Sequence, residues 1–192
     1  MSKDPLRSRT IALVGLMGAG KTSVGRRLAS ALNLPFRDAD EEIEKAAGRS
    51  ITDIFAEYGE AHFRDGERRV IARLLDEPPH VLATGGGAFM NAETRALIKA
   101  KATSVWLKAD LDTLARRVGR KDTRPLLKGR DAREALNELA GVRYPVYAEA
   151  DVTIESGDTP HHATVDAIIK TLKARLEPAP STTACGGEGG EA

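Results

Sequence analysis

The residues whose types and spacing carry the most specific chemistry run from Gly15 to Thr22, reading Gly15-Leu-Met-Gly18-Ala19-Gly20-Lys21-Thr22, with Ser23 following. Glycine at the first and sixth places lets the backbone turn tightly and point N–H groups outward, and Gly18 adds a further bend. A lysine and a hydroxyl residue after such a turn make a phosphate-binding loop. The backbone of Gly18, Ala19, Gly20 and Ser23 cradles phosphate oxygens, Lys21 reaches the β- and γ-phosphates, and the Thr22 hydroxyl is offered to Mg²⁺. An apolar run, Ile11 to Val14, precedes the loop and a helical pattern from Ser23 to Leu32 follows it. A helix N-terminus adds its dipole and its unpaired N–H groups to anion binding. A glycine-rich turn that binds nothing is the plain alternative, and the strand before and helix after disfavour it.

A second group of candidates follows at Asp38 and Asp40, which end a short predicted strand from Leu34. In extended backbone the i, i+2 spacing puts both carboxylates on one side. Beside a bound nucleotide, one would hold the water shell of the metal and the other would bind or deprotonate an incoming hydroxyl. A pair of this kind that opens a helix also caps it. Gly85-Gly86-Gly87 closes another apolar run and would let a substrate lie against the backbone. Arg64 and Arg143 each adjoin aromatic residues, Phe63 and Tyr144; facing one rim, they would form a fork for a carboxylate, and otherwise they are surface residues. Between Arg116 and Arg133 basic residues dominate, Arg117, Arg120, Lys121, Arg124, Lys128 and Arg130 among them. That span reads as a solvated charge run, a nucleic-acid patch or a lid over phosphates. It lacks the interleaved aromatics of a single-strand-binding surface. A lid carrying Arg124 accounts for it best, because phosphoryl transfer develops charge and needs water excluded. His62, His80, His161 and His162 have no metal-ligand spacing and attract no role.

The elements that must position these groups alternate. Strands are predicted at Thr10–Val14, near Leu34–Asp40, at Val81–Thr84, Thr103–Leu107 and Val152–Ile154. Helices are predicted from Ser23, from Glu41 to a stop at Gly48, from an N-cap at Ser50 to Tyr58, from Glu60 to Leu75, from Asn91, from Asp110 to Val118, from near Asp131, and from Pro160 to Leu176. Apolar strands separated by helices make a parallel α/β sheet with right-handed crossovers. Ligands sit beyond the carboxyl ends of such strands, which gathers the loop at 15–22, Asp38/Asp40 and Gly85–Gly87 along one rim.

The chain has 192 residues, enough for one domain with a proper core. With 29 basic against 28 acidic residues it carries no global electrostatic footprint for nucleic acid or a membrane surface. A single cysteine, Cys185, excludes an internal disulfide framework and suits a reducing cytosol. No leader-like apolar region and no run of about twenty apolar residues occurs, so a soluble cytoplasmic protein is expected. Residues 1–9 read as a flexible arm, 10–177 as the folded domain, with a substrate-binding region about 38–66 and a lid about 119–130, and 178–192 as a low-complexity disordered tail.

Taken in order, GLMGAGKT at 15–22, DAD at 38–40, FR at 63–64, TGGG at 84–87, RPLL at 124–127 and RYPVY at 143–147 resemble the shikimate kinase family over about residues 8–176. The resemblance implies a three-layer, nucleoside-monophosphate-kinase-like P-loop fold, a five-stranded parallel sheet in order 2-3-1-4-5, and a monomer. It implies transfer of the ATP γ-phosphoryl to the 3-hydroxyl of shikimate, with Mg²⁺. By motif position Lys21, Asp40 and Arg124 would be catalytic, and Asp40, Arg64, Gly86 and Arg143 would bind shikimate, with Gly85 and Gly87 completing the glycine wall. Arg117 and Arg124 would face the nucleotide, and Thr22 and Asp38 would serve Mg²⁺. One departure stands out: the loop before the last helix often carries an arginine near adenine in this family, and here it reads Glu155-Ser-Gly-Asp-Thr-Pro-His-His. Backbone contacts to adenine are therefore expected. A gluconate kinase-like enzyme and a nucleotide-binding regulator without turnover are the rival functions. The first would not need two arginines aimed at a carboxylate, and the second would not need Lys21, Thr22, Asp38, Asp40 and Arg124 together.

Overall fold

The structure, a computed structural model, describes residues 5–118 and 131–176. In chain order its strands are β1 (Thr10–Val14), β2 (Phe36–Asp38), β3 (Val81–Ala83), β4 (Ala102–Lys108) and β5 (Val152–Glu155). Its helices are α1 (Lys21–Leu32), α2 (Ala39–Ala47), α3 (Ile51–Leu74), α4 (Ala92–Lys101), α5 (Leu111–Val118), α6 (Ala132–Tyr147) and α7 (His161–Leu176). The strands pair in parallel in the order β2-β3-β1-β4-β5.

β1 sits at the centre, and all five of its residues are buried. That is why its sequence is a continuous apolar run with no alternation: helices cover both faces of an inner parallel strand. Leu13, Leu28, Ile71, Leu74, Leu82, Ile98, Leu107 and Ile168 lose essentially all contact with water in one core. Each such side chain contributes roughly 1.5–3 kcal/mol of transfer free energy. A second, much smaller cluster of Ile43, Ile54 and Phe63 joins α2 to α3 away from the sheet.

Local signals set the helix ends. Ser50 accepts from the Asp53 N–H and Asn91 from the Thr94 N–H, and Asp131 accepts from the Glu134 N–H, each leading its helix. Gly48 in the left-handed conformation closes α2. The predicted break between Tyr58 and Glu60 is a kink inside α3 at Gly59, where φ is 79° and ψ 175°.

Two readings need correction. The expected arm over 1–9 differs over its described part: residues 5–7 form a short 3₁₀ turn, Leu6 is buried, and Arg9 donates to the carbonyls of Lys99 and Ala100 at 2.7 Å each. One apolar residue and one arginine suffice to tie this segment down, and a polar composition hid both. The strand expected up to Asp40 stops at Asp38, because the Asp38 carboxylate accepts the Asp40 N–H at 3.1 Å and starts α2 there. The tail at 178–192, with Cys185, and the predicted lid at 119–130 lie outside the described residues.

Candidate active site

The loop from Gly15 to Gly20 joins β1 to α1 at the carboxyl rim of the sheet. Gly18 and Gly20 have φ of 84° and 88°, a region that a residue with a Cβ adopts only under strain. Gly20 is the N-cap of α1 and makes no side-chain cap, and the first residues of that helix, Lys21, Thr22 and Ser23, line an open cavity. Anions bind where such donors and the helix dipole converge. The Lys21 ammonium lies along the loop and donates to the carbonyls of Gly15 at 2.8 Å and Leu16 at 3.0 Å. Around this loop is a compartment of about 310 Å³ that includes Lys21, Thr22, Ser23, Asp38, Arg117 and His161.

Asp38 serves two purposes. Its Oδ1 caps α2, while its Oδ2 accepts from the Thr22 hydroxyl at 2.7 Å. The capping and functional readings of this carboxylate therefore hold together, one oxygen each. Thr22 and Asp38 present two hard oxygen donors beside the phosphate loop, the chemistry Mg²⁺ prefers. Among the described residues no group of three or more His, Cys, Asp or Glu could hold a metal by itself. This donor set fits an ion completed by phosphate oxygens and water.

Asp40 stands two residues further on, in the first turn of α2, and borders both the nucleotide compartment and a neighbouring one of about 540 Å³. Met17, Thr22, Asp38 and Gly86 also border both. The second compartment brings together Asp40, Arg64, Glu67, Gly85, Gly86, Gly87 and Arg143. The two arginines thus face one cavity. Arg143 is buried on α6 and donates to the Gly86 carbonyl at 3.0 Å, which also accepts from the Tyr147 hydroxyl. Burial pushes the Tyr147 phenol up to about 12 although Arg143 pulls the other way, so it remains a donor. Arg64, on α3, is held by Glu67 at 2.7 Å and by Glu60 at 3.1 Å and lies over the Phe63 ring.

Glu67 is the residue that the sequence reading missed. It is 2% exposed, one carboxylate oxygen grips Arg64, and the other has no hydrogen-bond partner among the described residues. Burial raises its pKa above the ordinary carboxylate range against the pull of Arg64, and Asp40 pushes the same way. Burial also works against the Arg64 charge, but Glu67 and Glu60 outweigh it and hold that guanidinium firmly protonated. Burial therefore wins at Glu67, the deeper of the two, and the ion pairs win at Arg64. The available signal was an acid three residues after Arg64 on a helix, where side chains meet.

The three glycines have three separate reasons. A Cβ on Gly85 would overlap Glu67 Oε1 and lie 3.0 Å from Asp40 Oδ1, and one on Gly87 would lie 2.6 Å from the Arg64 guanidinium. Both are glycine because a charged side chain already rests on them. At Gly86 a Cβ would meet Met17 N at 3.4 Å and the Arg143 guanidinium at 3.5 Å, ordinary contact distances, so no side chain crowds that position. All three glycines border the second compartment.

Arg117 reaches from α5 to the Gly157 carbonyl at 2.8 Å and to the Gly18 carbonyl at 3.4 Å, tying the phosphate loop to the segment after β5. Ser156 of that segment donates to the Ala19 carbonyl at 3.3 Å. His161 borders the compartment as well, although the histidines were given no role; His80 is buried far from the rim, at the start of β3, and bonds to the Pro78 carbonyl. Arg124 lies outside the described residues. A further cavity of about 610 Å³ behind Phe63 is lined mainly by apolar side chains and none of the phosphate-loop residues.

Comparison with known proteins agrees with this arrangement. A family profile described as shikimate kinase matches residues 17–173. A shikimate kinase of Caulobacter vibrioides is 72% identical over 169 residues, covering 88% of this chain and 84% of its own. One of Bradyrhizobium diazoefficiens is 58% identical over 171 residues, covering 89% and 83%. Among solved structures, a shikimate kinase from Acinetobacter baumannii in complex with shikimate superposes with a TM-score of 0.85 at 38% identity, covering 87% of this chain and 94% of that one. With the phosphate loop, the paired arginines and Asp40 meeting at one rim of a 2-3-1-4-5 sheet, and with these relatives, the chain belongs to the shikimate kinase family.

Proposed function

We propose that the two joined compartments carry out ATP-dependent phosphorylation of the 3-hydroxyl of shikimate, giving shikimate 3-phosphate and ADP, a step toward chorismate and the aromatic amino acids. The observation that carries this reading is that Asp40 borders both the phosphate-binding cavity and the arginine-lined one. A phosphoryl donor and an acidic polyol acceptor therefore meet where Asp38 and Asp40 stand, and of these Asp38 is already turned to the Thr22 hydroxyl. The Acinetobacter relative was solved with shikimate, which supports the choice of acceptor.

In this reading Arg64 and Arg143 bind the acceptor carboxylate, and the backbone at Gly85, Gly86 and Gly87 forms the wall against which the ring lies. Asp40 orients the 3-hydroxyl and takes its proton as the bond to phosphorus forms; a loose transition state asks little of a strong base. The N–H groups of Gly18, Ala19, Gly20, Lys21, Thr22 and Ser23 hold the phosphates, and Lys21 swings from its carbonyl partners to the β- and γ-oxygens. Thr22 and Asp38 would hold Mg²⁺, which would neutralise charge developing on the phosphates. Arg117 serves the nucleotide side, and Arg124 is assigned to the transferring phosphates as part of a lid at 119–130. The enzyme is taken to act as a cytoplasmic monomer on small molecules, with neither nucleic acid nor membrane as partner. In the described residues no helix is long and apolar enough to cross a membrane. The test is ADP release measured with shikimate, gluconate and nucleoside monophosphates in parallel. Turnover confined to shikimate is expected, and preferential turnover of either alternative would overturn the assignment.

A further inference from the structure

We infer that His161, in the first turn of α7, binds the nucleotide, its imidazole forming the wall of the phosphate compartment against which the ribose and α-phosphate of ATP rest. This rests on the reading of the compartment as the ATP site.

Asp40 and Gly86 are shared between the compartment and the acceptor cavity, whereas Arg117 and His161 border the compartment alone. With a γ-phosphoryl group aimed at Asp40, the nucleoside falls to the part that the acceptor cavity does not share. There the His161 ring stands close to the phosphate loop: its Cε1 would be 3.7 Å from a Cβ placed on Gly20. α7 is held there by its packing on α1, the helix that begins at Lys21. Among the described residues neither ring nitrogen is taken up in a hydrogen bond.

The chemistry suits a ribose hydroxyl or a phosphate oxygen. Burial favours the neutral imidazole, and Arg27 from α1 and Arg117 from α5 lower its pKa further. A neutral ring can donate from one nitrogen and accept at the other, which a ribose hydroxyl uses in full. No arginine occupies the segment from Glu155 to His162. His161 supplies a side-chain contact at the nucleoside end where the sequence led us to expect only backbone. The carbonyls of Ser156 and Gly157 are instead turned to Arg117.

The experiment compares His161→Ala and His161→Gln with the full-length parent chain in two measurements: ADP affinity by equilibrium titration, and KM for ATP and for shikimate. Loss of one polar contact should weaken ADP and raise the ATP KM by about three- to tenfold. The shikimate KM should stay within about twofold of the parent, and His161→Gln, which keeps a donor and an acceptor, should recover most of the loss. An ADP affinity of a folded His161→Ala protein within about twofold of the parent would overturn the inference, as would equal weakening of ATP and shikimate. If Ala at this position does not fold, His161→Leu on the same ADP titration decides, because a neutral side chain of similar size removes both ring nitrogens without adding charge, and an affinity within about twofold of the parent then overturns the inference. Because ADP titration needs no acceptor, failure of the parent to phosphorylate shikimate would strike the function and leave this test intact.

Discussion

Gly87→Ala should disable acceptor binding by moving a single guanidinium. The backbone tolerates the change, since Gly87 has φ −101° and ψ −11°, open to any L residue. The new methyl would lie 2.6 Å from Cζ, Nη1 and Nη2 of Arg64. Carbon contacts are optimal at about 3.5–4.0 Å, so the guanidinium must retreat by about 1 Å. It is gripped by Glu67 at 2.7 Å and Glu60 at 3.1 Å, and a shift of that size takes the first of these past hydrogen-bond range. Misplacing a positioning group by this much costs up to about 10²-fold, or roughly 2.8 kcal/mol. Steady-state kinetics should therefore show the shikimate KM rising about 10- to 100-fold. The ATP KM should stay within about twofold, because Gly87 does not border the nucleotide compartment. The added methyl should also cost about 1–3 kcal/mol of stability, measured as Tm. Because the argument routes the whole effect through Arg64, Gly87→Ala should add little in an Arg64→Ala background. An unchanged shikimate KM in Gly87→Ala, or a full further loss in the double variant, refutes it.

Other expectations follow from the same geometry. Lys21→Ala should lower kcat by orders of magnitude with Tm nearly unchanged, because its partners are loop carbonyls and not the core; retention of most activity contradicts the phosphate-loop role. Asp38→Asn should raise the Mg²⁺ midpoint, since Oδ2 meets Thr22, whereas Asp40→Asn should lower kcat at an unchanged midpoint. A Mg²⁺ titration giving the opposite pattern reverses the two assignments. Glu67→Gln tests the raised pKa of a buried acid. The native state holds that proton more tightly than the unfolded chain does, so Glu67 adds stability below the unfolded pKa of about 4.3 and loses it as pH rises through the folded value. The Tm of Glu67→Gln relative to the parent should therefore climb with pH across that window and level off above it. A pH-independent difference argues that the shift is absent.

Much of the site was legible because its chemistry is local. The phosphate loop depends on glycine, lysine and threonine at fixed spacing between an apolar strand and a helix, and each of those signals is contiguous. The same holds for the caps at Ser50, Asn91 and Asp131 and for the closure of α2 at Gly48. The alternation of apolar runs with helical patterns was enough for a parallel sheet, and the carboxyl-end rule then put Asp38, Asp40 and Gly85–Gly87 on one rim. The order 2-3-1-4-5 came only through family resemblance, since periodicity does not say which strands pair.

What tertiary structure decided concerns partners distant in sequence. That Gly85 and Gly87 are bare for Glu67 and Arg64 depends on α3 crossing the end of β3, which no spacing encodes. Burial of Glu67 at 2% exposure is likewise a property of packing, because an acid on a helix ordinarily faces water. Arg9 anchors the segment before β1 because the end of α4 lies within reach, and the turn that carries Leu6 packs on α7. His161 reaches the nucleotide compartment because α7 returns to pack on α1, about 140 residues after the phosphate loop in the chain. A sequence specifies torsion preferences and the identity of charges over a few residues; which carboxylate is stripped of water, and against which arginine, is settled when helices far apart in the chain close over the same sheet edge.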